Sequence, residues 1–236
     1  ADVGDAWLEL LPYGQVFTAE RAAYSALAVG AVPPESATID NPYGEWIGAL
    51  IRVDAYGYAL PGRPRAAATV ALRDATVSHV GNGLYGAMWA ASLISNALVL
   101  HDPESALVAS LAEVPERSRL AHVVRSVLHE RTVHQSWESA LDRLDHLHGL
   151  DGLHHVHVLN NAAVIAVALL WGDGDPARAV ALSVQGALDT DSTAATVGSV
   201  MGSLVGVDAL PARWMSDLGA GVRTGLFGVG ELRISE

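Results

Sequence analysis

The 236-residue sequence contains no cysteine. Disulfides, thiolate nucleophiles and zinc–sulfur sites are therefore excluded, and any metal must be held by oxygen or imidazole. Lysine is missing too, so all 14 basic residues are arginine. Set against 26 acidic residues, they leave a formal net charge of −12. That balance argues against a nucleic-acid partner, because phosphate binding needs clustered positive charge. Only 2 phenylalanines occur. No run of alternating apolar and polar residues marks a strand. No basic segment with a cleavage site opens the sequence. The longest apolar run, 162–171, is too short to cross a bilayer and follows the polar pair Asn160-Asn161. These absences predict a cytoplasmic protein with neither nucleic acid nor membrane as partner.

What is present is apolar and small. Half the residues are hydrophobic, dominated by Ala, Leu and Val. Ala and Leu are strong helix formers. A chain of this length can bury roughly 70% of its extended surface. Helix start signals recur. Thr18 with Glu20 opens 19–29, and Asp102-Pro103 and Asp175-Pro176 each set an acid before a first-turn proline. Pro115 with Glu116, and Asp208 ahead of Pro211, predict two more. Helical periodicity covers 64–76, 84–100, 116–129 and 135–147, and 156–171 is apolar all round, as a central helix would be. The expectation is an all-α fold of about ten helices in one domain, 1–236.

Glycines at 198, 202 and 206 give a small-xxx-small pattern. It predicts close helix packing in a bundle, with Gly202→Ala destabilising by overpacking.

The segment Asp189-Thr190-Asp191-Ser192 puts two carboxylates and two hydroxyls directly before an apolar helix. Two readings fit. Asp191 or Ser192 could cap the helix, with the second acid favouring its dipole. Alternatively, the three oxygen-bearing side chains Asp189, Asp191 and Ser192 could bind a hard divalent cation such as Mg²⁺, which takes oxygen ligands in octahedral geometry. His154, His155 and His157 suggest a second metal cluster, but adjacent residues do not converge on one ion. The histidines at 122, 129, 134, 146 and 148, and the charges through 116–131, read as a solvated exterior.

Residues 189–202, with Asp-Thr-Asp-Ser leading into a helix of small residues, resemble the C-terminal metal motif of the ADP-ribosylglycohydrolases. Other segments are similar in order and spacing: Asn41-Pro42-Tyr43-Gly44-Glu45-Trp46-Ile47-Gly48 with Arg52, then Ser78-His79-Val80-Gly81-Asn82-Gly83-Leu84-Tyr85, then 160–186. The resemblance covers about residues 1–216. It implies a compact bundle of orthogonal helices of that family's type. It implies two Mg²⁺ ions, with Mn²⁺ as a substitute, on Asp189, Asp191 and Ser192. It places the substrate at Tyr43, Gly44, Glu45, Trp46, Gly48, His79, Asn82 and Tyr85. The implied activity is hydrolysis of an N- or O-glycosidic bond in an ADP-ribosylated protein or a small ribosyl metabolite.

The family's other metal ligands form an acidic pair early in the chain, near its catalytic acid. No Asp-Asp pair exists here. The expectation is that the catalytic acid lies in an N-terminal fragment outside this sequence. The alternative is a non-catalytic, ligand-binding or scaffold relative of the same fold.

Overall fold

Two helix starts show how directly local chemistry acts. The Asp102 carboxylate accepts the Ser105 amide at 2.7 Å. The Asp175 carboxylate accepts the amides of Ala177 and Arg178 at 2.8 and 3.2 Å. Each acid satisfies amides that the first helical turn leaves unpaired, and proline follows where no amide is needed.

The computed structural model describes residues 2–133, 136–218 and 221–233. Among them the chain forms thirteen α-helices. The N-terminal part carries α1 (Asp2–Leu10), α2 (Thr18–Ala28), α3 (Gly48–Ile51), α4 (Asp54–Tyr58) and α5 (Pro64–Ala75). The middle carries α6 (Gly81–Leu100), α7 (Pro103–Ser110), α8 (Arg119–Val133) and α9 (Trp137–His148). The last third carries α10 (Val158–Trp171), α11 (Pro176–Gln185), α12 (Thr190–Val205) and α13 (Ala212–Leu218). The expected start at Pro115 moves to Arg119, because 115–118 forms a turn and Ser118 Oγ accepts the Ala121 amide. Asp208 lies in a short 3-10 turn ahead of α13. One feature is new: β1 (Gly221–Arg223) pairs antiparallel with β2 (Glu231–Arg233), Val222 opposite Leu232. Both strands are exposed and three residues long, too short for a period of two to show in sequence.

All 14 residues of α10 are buried, as its uniform apolarity predicts. It packs against α6, α7, α8, α9, α11 and α12. The other axis is α6, against α3, α4, α5, α7 and α12. By length and composition α6 would suffice to cross a membrane, which the apolar run at 162–171 did not suggest, yet most of it is buried inside the fold. The two axes meet at Gly86, where a Cβ would lie 2.5 Å from Val158 Cγ2. A similar approach occurs at Gly57, 2.6 Å from Ile94 Cβ. The expectation for Gly202 is overturned: a Cβ there meets nothing within 4 Å, and at Gly198 only Val180 at 3.9 Å. The small-residue spacing of α12 therefore does not mark its packing face. A smaller cluster of Trp7, Ala23, Leu27 and Val77 holds α1 and α2 beside the main core.

Exposed His122, His129 and His146 follow expectation, while His148 bonds Ser126 Oγ at 2.9 Å. His134 lies outside the described residues. Glu130, read as exterior, is buried.

Candidate functional site

After α11 the chain must reverse within a few residues to enter α12. It does so through Ala187 and Leu188, at φ 60 and φ 69, a left-handed conformation that a Cβ disfavours. Such residues cost about 1–3 kcal/mol each and persist only where the surroundings enforce them. The enforcing group is Asn161, fully buried in the first turn of α10. Its Nδ2 donates to the carbonyls of His155 and His157, and its Oδ1 accepts the Asp189 amide at 3.1 Å. Asp189 thus begins α12 in a fixed position.

Asp189 occupies the N-cap of α12, but its side chain accepts no helix amide. Its Oδ2 accepts instead from Ser192 Oγ at 2.9 Å. Ser192 is buried and Asp191 exposed. Burial raises the Asp189 pKa, and the nearby Asp191 charge raises it further; the Ser192 hydroxyl opposes them. The two carboxylates therefore crowd one another, the condition a divalent cation relieves. Capping does not account for Asp189. Asp189, Asp191 and Ser192 offer three hard oxygens, a fit to one side of an Mg²⁺ ion that would keep water on the rest. Among the described residues no cluster of three acid or imidazole groups arranged to hold a metal is present.

The three residues line a cleft of about 490 Å³. Thr18 and Glu20 of α2, Gly48 of α3, and Arg52 line the same cleft. The Arg52 guanidinium donates to Glu20 Oε1 at 2.7 Å and Asp74 Oδ1 at 2.6 Å. It lies 4.8 Å from the Trp7 ring centroid. Tyr56 closes the network on Asp74 at 3.0 Å, and burial beside that acid pushes its hydroxyl up to about 12. The network ties α2 to α3–α5 and holds these residues in place. A Cβ on Gly48 would stand 2.3 Å from Glu20 Oε1, so any larger residue there would displace the Glu20 carboxylate.

Of the expected substrate residues, Gly48 lines this cleft with Asp189, Asp191 and Ser192. The others are not among its lining residues. Glu45 Oε1 accepts the Asn82 amide at 2.5 Å and Asn82 Nδ2 at 2.9 Å, and its Oε2 lies 3.6 Å from His157 Nε2. It serves as the N-terminal cap of α6 from outside that helix. His157 and the Asn82 bonds lower its pKa to about 2. Asn82 Oδ1 accepts the Leu120 amide. Buried His79 accepts the Ala49 amide on Nε2 at 3.2 Å, which leaves the proton on Nδ1, 2.8 Å from Ser78 Oγ. Burial and Arg52 lower its pKa to about 3, so it is neutral at pH 7. Gly44 and Gly83 allow their two segments to touch: a Cβ on Gly83 would lie 2.4 Å from the Gly44 carbonyl oxygen. The Trp46 ring is stacked on His154 at 4.3 Å and meets Tyr43 edge-on at 4.6 Å. Tyr85 packs against the main core. His157 caps α10 through Nδ1, so the three histidines do not form a metal cluster.

Thr18, Glu20 and the positioning role of Asn161 were not legible as site features. Thr18 and Glu20 carry an ordinary helix-start signal; only tertiary folding brings them to the same cleft as Asp189. Thr18 adopts φ 44, a real outlier for a β-branched residue, which no sequence pattern announces.

The family model for ADP-ribosylglycohydrolase matches residues 2–232, nearly the whole chain. No curated protein matches the sequence.

Proposed function

Because the chain belongs to the ADP-ribosylglycohydrolase family, a family of hydrolases, we propose that it cleaves the N- or O-glycosidic bond of an ADP-ribosyl substrate at the Asp189 cleft with bound Mg²⁺. The observation that carries this reading is an acid at a helix start that does not cap the helix and faces a cleft beside a second acid. Asp189, Asp191 and Ser192 would hold the metal, which supplies positive charge to orient ribose hydroxyls and acidify water. Asn161 holds Asp189 in register. Glu20, fixed by Arg52, accepts from a ribose hydroxyl in the same cleft. The bond from ribose C1 to the leaving nitrogen or oxygen breaks, water adds its oxygen to C1, and the leaving group takes up a proton.

The test is release of ADP-ribose from a panel of arginine-, serine- and small-molecule conjugates with Mg²⁺ or Mn²⁺. Turnover of one conjugate, lost in Asp191→Ala together with calorimetric Mg²⁺ binding, is expected. Mg²⁺ binding that Asp191→Ala leaves unchanged rejects the metal assignment. A second reading, a ligand-binding relative without turnover, is favoured by the absence, among the described residues, of a group of three acid or imidazole side chains that could hold a metal. It predicts ADP-ribose binding with no release from any conjugate.

A further inference from the structure

The two aromatic side chains expected to stack on a substrate ring, Tyr43 and Trp46, are engaged with each other and with His154. A different aromatic stands at the cleft. Phe17 lies on its rim, beside the strained Thr18, and is 64% exposed. It is one of only 2 phenylalanines in the chain, and among the described residues it is the only aromatic side chain that lines the cleft.

The ring is held, not loose. The Arg21 guanidinium carbon sits 5.1 Å from its centroid and 5.5 Å from that of Tyr13. Arg21 Nε donates to the Val16 carbonyl at 2.7 Å, fixing the cation beside the segment that carries Phe17. A positive group on one face leaves the other for a second π-system, and the geometry is preorganised, which reduces the ordering cost of stacking. The cleft, about 490 Å³, has room for a nucleoside, and Thr18 and Glu20, the next cleft residues along the chain, line it together with Asp189.

We propose that Phe17 is the platform on which the adenine of an ADP-ribosyl substrate stacks, so that base recognition comes from the start of α2 and not from the Tyr43–Trp46 segment. This rests on the glycohydrolase reading above.

With two phenylalanines in the chain, incorporation of 4-fluorophenylalanine gives two ¹⁹F resonances, assigned by Phe17→Tyr. Saturating ADP-ribose, with Mg²⁺ present, should shift the residue-17 signal and leave the residue-227 signal in place; ribose 5-phosphate should move neither. Phe17→Ala should weaken ADP-ribose binding about tenfold or more, the usual scale for a base stacked on an aromatic, and Phe17→Tyr should retain it. ADP-ribose that binds without moving the residue-17 signal, or binds Phe17→Ala as tightly as the parent, overturns the platform and leaves the hydrolase reading standing. ADP-ribose that does not bind at all removes both.

Discussion

The starts of α11 and α12 carry the same residue at the same position and use it in opposite ways. Asp175 gives its carboxylate to two backbone amides. Asp189 gives none, although it too is an N-cap, and faces a cleft with Asp191 beside it. A third case sharpens the contrast. The start of α6 has no capping side chain of its own and receives the carboxylate of Glu45, 37 residues away in sequence. Acids commonly cap helix starts, so an acid at a helix start points to function only when the helix does not use it.

The largest test of that contrast is Asp189→Ala. We expect turnover to fall by more than about a hundredfold, since even outer-shell partners of a metal are worth about 10- to 100-fold. Folding stability without metal should change by less than about 1 kcal/mol, because no backbone cap is lost and relief of a crowded charge offsets the lost Ser192 hydroxyl bond. Saturating Mg²⁺ should raise the melting temperature of the parent but not of this variant. A stability loss matching that of a lost cap would collapse the distinction between the two helix starts.

Glu45→Gln comes next. The parent carboxylate, with a pKa of about 2 against an ordinary 4.5, contributes stability in full above about pH 4.5 and loses it as pH falls towards 2. Allowing for its partial exposure, the contribution at pH 7 is about 1–2 kcal/mol. Denaturant melts at pH 7 and pH 3 should show the variant losing less on acidification than the parent.

Asp175→Ala should cost about 1 kcal/mol, the usual value of an N-cap, with kcat/KM unchanged. Any drop in activity beyond that expected from stability would tie α11 to the site. The smallest effect, and of opposite sign, is expected for Gly202→Ala. With open space at the Cβ, replacing a helical glycine should stabilise by up to about 1 kcal/mol. Destabilisation on thermal melting would restore α12 as a close-packing face. In contrast, Gly86→Ala, 2.5 Å from Val158, should lower the melting temperature.

Much of this was legible in the residues. Proline after an acid fixed two helix starts, uniform apolarity marked α10 as the centre, and the clustered acids of 189–192 marked a turn that lines the cleft. Each is a local signal, because capping, burial and like-charge crowding act within a few neighbouring residues. The misreading was also a local rule carried too far. The glycine spacing of α12 matched a packing motif without a partner to pack.

Composition and periodicity by themselves determined that the chain would be helical and where most helices begin, since backbone amides and apolar faces are satisfied from nearby sequence. Only the tertiary structure decided which side chains face the cleft. Thr18 and Glu20 meet Asp189 across a gap of about 170 residues of chain, and Asn161 holds the turn from another helix. Such encounters are set by how buried helices cross, through contacts like that of Gly86 with Val158, and nothing within a short stretch of sequence encodes them.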